Sequence, residues 1–177
     1  MKFVEWLTEQ EQQEMPDAKD FEIIGCVLHL ASQKDIVRAA QEFMQQTTSS
    51  LIPKHWTGYA HHMTVKYMPN ISDMRMYEKQ FGKPFLIEIE AFAADDKCIA
   101  AAVKSPVHTD RPIPHITIAT SPEINPVYSN DLLRDRSKWK RFVGGNKLYS
   151  YLLAVKPDKF TVWPTTPGEL ARPTFVI

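Results

Sequence analysis

Glycine is scarce in this chain, with only six among 177 residues. There is no G-x-G-x-x-G run and no G-x-x-x-x-G-K run, which sets aside the phosphate loops of dinucleotide-binding and P-loop proteins. Cysteine is scarcer still: Cys26 and Cys98 stand in different segments, and neither belongs to a metal-ligand spacing. Cys26 sits inside the apolar run IIGCVLHL and reads as a core residue, while a Cys26–Cys98 disulfide has no secretory context behind it. No apolar run approaches the ~20 residues that cross a bilayer, and the first residues do not form a signal peptide. The expectation is a soluble protein of a reducing cytoplasm, the host's if the chain is viral. A surplus of charge is missing too, since 21 basic residues balance 21 acidic ones. Proteins that grip long nucleic acid usually carry a basic excess. Its absence favours a small nucleotide or short oligonucleotide over a long duplex, and nothing points to a membrane partner.

What is present is an ordinary globular composition, 44% hydrophobic and 24% charged, in a length that suits one domain or two packed halves. Residues 1–20 read as a separate N-terminal segment, flexible or processed, and residues 21–177 as a single domain. Phe21 to Leu30 is β-rich. Ser32 is placed to cap a helix from Gln33 to Gln46, with Asp35 in its first turn and Ile36, Ala39, Ala40 and Phe43 on its buried face. Tyr59 to Met68 reads as a strand closed by Pro69-Asn70, and residues 72–82 as a short helix. Phe85–Phe92 and Ile99–Lys104 read as paired strands around AADDK, and Ile113–Thr120 as another strand. Asn125 to Asn146 looks polar and irregular, with a solvated basic cluster at Lys138, Lys140 and Arg141. Leu148–Val155 and Phe160–Trp163 are expected to form a last hairpin. This order of elements predicts an α+β fold with antiparallel or mixed sheets.

Two of these strands carry chemistry. Alternate side chains of a strand share a face, so His62, Thr64 and Lys66 face one way while Met63, Val65 and Tyr67 face the other. In the second strand His115 and Thr117 share a face opposite Ile116 and Ile118. Each strand thus buries an apolar face and presents an imidazole with a hydroxyl one step along. The spacing alone is cheap, since His55-Trp56-Thr57 also matches it from a loop. Repetition on two amphipathic strands is what gives it weight. His61 is expected on the opposite, packed face, and His29 and His108 as structural or solvated. No acidic partner is spaced to make a metal site of the His61-His62 pair.

HHMTVKY and PHITIAT resemble the paired H-x-T/S-x motifs of the 2H phosphoesterase superfamily. That superfamily includes RNA 2′,3′-cyclic phosphodiesterases, 2′,5′-oligoadenylate phosphodiesterases and phage anti-CBASS enzymes that degrade cyclic-oligonucleotide defence signals. The resemblance spans residues 21 to 163 and implies a bilobal fold in which each lobe gives one motif strand to a central groove. The 53 residues between His62 and His115 are fewer than the longer members of the superfamily lead one to expect. The opening MKFVEWLTE also resembles short N-terminal targeting peptides of large tailed phages, clipped after a Leu-x-Glu such as Leu7-Thr8-Glu9.

The chemistry implied is hydrolysis of a phosphodiester without a metal or cofactor. His62 and His115 would serve as base and acid, in an order the sequence leaves open. Thr64 and Thr117 would donate hydrogen bonds to the non-bridging oxygens. Lys66 and Arg111 are candidates to neutralise phosphate, and Trp56, Tyr59 and Trp163 to stack on a base. The substrate expected is a cyclic oligonucleotide, a 2′-5′ oligoadenylate or a 2′,3′-cyclic phosphate. The alternatives are a nucleotide-binding module without turnover, and a phage structural protein.

Overall fold

The computed structural model describes residues 21–144 and 147–156. The N-terminal segment, Trp163 and the second half of the expected last hairpin lie outside them. The described chain runs β1 (Ile23–Leu28), α1 (Leu30–Thr48), β2 (Thr57–Gly58), β3 (His62–Tyr67), α2 (Ile71–Tyr77), β4 (Pro84–Ala94), β5 (Cys98–Lys104) and β6 (His115–Thr120). It continues through α3 (Ser129–Arg134), β7 (Trp139–Arg141) and β8 (Lys147–Val155). All described strand pairs are antiparallel, in the order β2-β6-β5-β4-β8-β1-β3, with β7 beside β4. The α+β class is as expected, and the mixed-sheet option is not used.

The eleven-residue β4 joins the two halves of the sheet. Its first part, Pro84–Glu88, pairs with β8, and its second part, from Glu88 to Ala94, pairs with β5. The hairpin into β5 turns on Asp95, whose Oδ1 accepts from the amides of Lys97 (2.9 Å) and Cys98 (3.0 Å). Aspartate favours such turns because its short side chain reaches its own backbone two residues on.

The ends of the strand path come back together through one segment. Thr57–Gly58 pairs with β6, and the amides of Tyr59 and Ala60 donate to the carbonyls of Ile118 (2.8 Å) and Thr117 (2.9 Å). From His61 onward the same segment pairs with β1 instead: Leu28 N–H donates to His61 O (2.9 Å), and Val27 is opposite His62. The change of partner falls at Ala60, which is fully buried and has φ 53°. A left-handed backbone costs an L-residue roughly 1–2 kcal/mol, and here the bonds on both sides hold it in place.

The helix α1 covers the main core with Ile36, Val37, Ala39, Ala40 and Met44, and Phe43 stacks on Phe92 at 5.4 Å. It begins earlier than expected. His29 takes the cap position, its ring accepting from Ala31 N–H, while Ser32 is buried with its Oγ accepting from Tyr149 N–H at 2.8 Å. The cap signal at Ser32 is used for helix-to-strand packing instead. Asp35 then lies beyond the first turn and pairs with Arg38 on the surface. The expected helix at 72–82 is α2 followed by a 3-10 turn at Glu78–Gln80, and it starts at an Asn70–Asp73 capping box.

From Asn125 to Gly144 the chain is more ordered than expected. The Asn125 side chain caps a 3-10 turn at Pro126–Tyr128, which runs directly into α3. Leu132 and Leu133 of α3 pack on Ala100 and Ala102, while Ala101 faces the main core. The alanines that blurred β5 in the sequence leave room for a helix to lie close to the strand. Cys26 and Cys98 are both free and buried, so no disulfide joins them. Burial pushes each thiol up to about 12, which suppresses thiolate chemistry. No helix among the described residues is long and apolar enough to cross a membrane.

Candidate active site

The two motif strands, β3 and β6, are in direct contact. The hydrogen bond from Ala60 N–H to Thr117 O ties the approach to His62 onto the second motif. Met63, Val65, Ile116 and Ile118 are buried, while His62, Thr64, His115 and Thr117 are only partly so. The alternation read from the sequence is therefore the alternation of the fold, and the charges of His62 and His115 are near enough to influence each other.

At the first motif, His61 departs from expectation. It does not sit on the face opposite His62; the two rings stack at 4.7 Å with their planes 10° apart, and their Nδ1 atoms are 2.6 Å apart. The strand period does not reach back to His61, because the kink at Ala60 has just reset the backbone and β3 begins at His62. A contact between two ring nitrogens needs one donor and one acceptor, so these imidazoles share a proton position and cannot both be charged. Burial, then the charge of neighbouring His115, pushes His62 down to about 4. Burial and His62 likewise hold His61 well below the ordinary range. Tyr59 meets the His61 ring edge-on at 6.1 Å.

Gly25 of β1 makes room for this pair. It lies opposite Thr64 beside a register shift in the β1–β3 ladder. A Cβ there would come 3.1 Å from Met63 O and 3.6 Å from His62 Cδ2. The only sequence sign was a lone glycine inside a strand, which marks a bulge or a close approach.

The second motif is built differently. His115 Nδ1 lies 2.8 Å from the carbonyl of Ile113, and Nε2 lies 2.9 Å from Ser129 Oγ. The Thr117 hydroxyl donates to the same Ser129 Oγ at 2.9 Å, and Ser129 Oγ is 2.8 Å from Pro126 O. Burial lowers the His115 pKa, the bond to Ile113 O pulls it back, and the Arg111 charge lowers it again. Ser129 is fully buried at the start of α3. Sequence reasoning did not select it, because a serine fourteen residues beyond His115 in an apparently irregular stretch carries no local signal.

The other candidates divide. Arg111 lies near enough to act on His115, and its loop is fastened to the first motif strand. There Thr109 Oγ1 donates to the carbonyls of Thr64 (3.0 Å) or Val65 (3.1 Å) and accepts from Arg111 N–H (3.1 Å). Lys66 is on the motif strand, but its ammonium lies 3.3 Å from Asp110 and 3.8 Å from Asp73, which offset its charge. Trp56 is buried in the main core and offers no face to a base. His55 and His108 are exposed. Among the described residues no group of three or more His, Cys, Asp or Glu side chains is placed to hold a metal ion.

Comparison with curated protein sequences yields no match. Among solved structures, the fold is similar to one described as "Crystal Structure of Fungal RNA Kinase", at a TM-score of 0.52 and 15% identity. The similarity covers 87% of this chain and 49% of that one, so the chain spans about half its length. At that identity the likeness speaks to fold alone. Residues 40–155, which include both motif strands, match the family described as the fungal tRNA ligase phosphodiesterase domain. With paired histidine–x–threonine strands brought together in an antiparallel α+β fold, the chain belongs to that phosphodiesterase family, within the 2H phosphoesterase superfamily.

Proposed function

We propose that the protein is a metal-independent phosphodiesterase that hydrolyses a 2′,3′-cyclic phosphate on a nucleotide or at the end of a short RNA. The observation that supports this reading most is the contact between β3, which carries His62, and β6, which carries His115. The family's name ties such a domain to tRNA ligases, and so to RNA.

Hydrolysis forms a bond from a water oxygen to phosphorus and breaks the bond from phosphorus to one ribose oxygen. The water loses a proton and the leaving oxygen gains one, which is work for two imidazoles in opposite protonation states. Burial keeps both histidines largely neutral in the free protein. An arriving phosphodiester anion favours the charged form of whichever ring it approaches. The Thr64 hydroxyl has no hydrogen-bond partner among the described residues, which leaves its proton for a non-bridging oxygen. Arg111 supplies positive charge from the loop clamped to β3, partly offset by Asp110 at 4.0 Å, and Tyr59 lies beside the His61–His62 pair as a surface for the base. Lys66 contributes less, because Asp73 and Asp110 already offset it.

Cyclic oligonucleotides and 2′-5′ oligoadenylate present the same bond and are the other arms of the test. The protein is incubated in chelator with 2′,3′-cyclic nucleotides, 2′-5′ oligoadenylate and cyclic di- and trinucleotides, beside a His62→Ala/His115→Ala variant. The expected result is turnover of the 2′,3′-cyclic phosphates, abolished in the double variant. Turnover of cyclic oligonucleotides alone would shift the substrate to a signalling nucleotide, and with it the role toward phage anti-defence. Tight binding without product would make the protein a nucleotide-binding module. Activity that needs an added divalent ion would overturn the metal-free scheme.

A further inference from the structure

The bonds around Ser129 lead beyond the four motif residues, on the footing of the phosphodiesterase reading above. A carbonyl oxygen only accepts, so the 2.8 Å contact with Ile113 O puts a proton on His115 Nδ1 in either protonation state. The neutral ring then carries its lone pair on Nε2, 2.9 Å from Ser129 Oγ. Ser129 has one hydroxyl proton and two acceptors within reach, His115 Nε2 and the Pro126 carbonyl at 2.8 Å. When His115 is neutral, that proton must point at Nε2, since otherwise two lone pairs face each other. When His115 is an imidazolium, Nε2–H donates to Ser129 Oγ and the serine proton turns to Pro126 O. Thr117 donates to Ser129 Oγ in both cases. The ring keeps two hydrogen bonds through a full acid–base cycle without any heavy atom moving.

Ser129 is fully buried, and its helix is anchored by buried Leu132 and Leu133, so the serine is fixed in front of Nε2. His115 and Thr117 are both partly buried, but both ring nitrogens are taken, by Ile113 O and Ser129 Oγ, whereas Thr117 Oγ1 only donates, which leaves its lone pairs for a water.

We propose that Ser129 is a positioning residue that connects His115 to the reacting oxygen through Thr117. In the step, Thr117 Oγ1 takes a proton from the attacking water as that water bonds to phosphorus, while the bond from phosphorus to the ribose oxygen breaks and that oxygen takes a proton from the His62 imidazolium. The Thr117 proton passes to Ser129 Oγ, and the Ser129 proton passes to His115 Nε2. The ring becomes an imidazolium, and the reverse passage restores it after the product leaves. Each oxygen gives one proton as it receives one, so no co-reactant is needed. The two motifs are then unequal: one threonine binds phosphate, and the other conducts a proton.

The test uses the full chain with a 2′,3′-cyclic nucleotide, and Ser129→Ala beside Ser129→Thr, which keeps the hydroxyl. Ser129→Ala is expected to lower kcat by about 100-fold with KM within about twofold, and Ser129→Thr to recover most of that loss. Long-range proton–nitrogen spectra of His115 across pH give a readout independent of turnover. The neutral wild-type ring should show its lone pair on Nε2, and Ser129→Ala should move both that nitrogen's shift and the titration midpoint. A Ser129→Ala protein with near wild-type kcat, or with an unchanged His115 titration, overturns the proposal. So does a folded Ser129→Thr protein as impaired as the alanine variant. If the wild type turns over none of the phosphodiesters, the functional reading fails, and the His115 spectra still decide whether Ser129 governs that ring.

Discussion

The two histidine–x–threonine strands look interchangeable as text, yet their surroundings differ in kind. His62 leans on another imidazole, His61, and the Thr64 hydroxyl makes no hydrogen bond among the described residues. His115 is bonded at both ring nitrogens, and the Thr117 proton is committed to Ser129. The same three-residue pattern therefore supports a ring held by a neighbour it cannot share charge with, and a ring held by a hydroxyl that suits either charge state. A repeated motif specifies which groups are presented. The neighbours specify what each group does.

The sharpest way to break this comparison is to remove each hydroxyl without changing its shape much. Thr117→Val should lower kcat by about 10³-fold, approaching the loss in His115→Ala, because it cuts the only described link from Ser129 toward the substrate. Thr64→Val should cost about 10²-fold, the usual loss for one donor to a developing oxyanion. Steady-state kinetics on a 2′,3′-cyclic nucleotide would show the order, and equal losses would mean that the motifs are equivalent after all.

The pH profile of kcat/KM comes next in size. The reaction needs one ring neutral and one protonated, a state that peaks between the two pKa values. His62 is near 4 and His115 is also lowered, so the optimum should fall on the acid side of 6.5, the ordinary histidine value. Placing His62→Asn beside wild type should remove the limb near 4.

Stability follows the same rings. A histidine whose folded pKa is depressed binds fewer protons folded than unfolded, so stability is full above the unfolded value near 6.5 and declines as pH falls toward 4. Denaturant midpoints across that range should fall for wild type, and fall less for a folded His62→Asn protein. The smallest expected effect separates the motifs by their support. Gly25→Ala crowds Met63 O and His62, and should cost about 1–2 kcal/mol of stability. Its loss of activity should track the first motif and leave the His115 titration where it was.

Much of the fold was legible because it depends on local periodicity. The alternation in HMTVKY and HITIAT, the Asp95 turn and the apolar stripe at Ile36, Ala39 and Ala40 each reflect a residue's immediate neighbours. Helix starts and the 125–146 stretch were less legible. Ser32 looks like a cap until Tyr149, distant in sequence, is found bonded to it, and two leucines are too few to announce a helix until alanines opposite make room. Of the proposed site, the four motif residues and Arg111 could be read from the chain. The burial of Trp56 and the offsetting of Lys66 by Asp73 and Asp110 could not.

Of this protein, the sequence by itself determined two amphipathic strands, each presenting an imidazole and a hydroxyl on its polar face. That follows from the two-residue period of a strand and needs no knowledge of where the strands go. Tertiary structure decided that the strands meet, through a backbone kink at Ala60 that passes the segment from β6 to β1. It also decided that the kink turns His61 toward His62, and that α3 sets Ser129 against His115. Those placements arise from contacts between residues far apart along the chain, and no local pattern of side chains encodes such contacts.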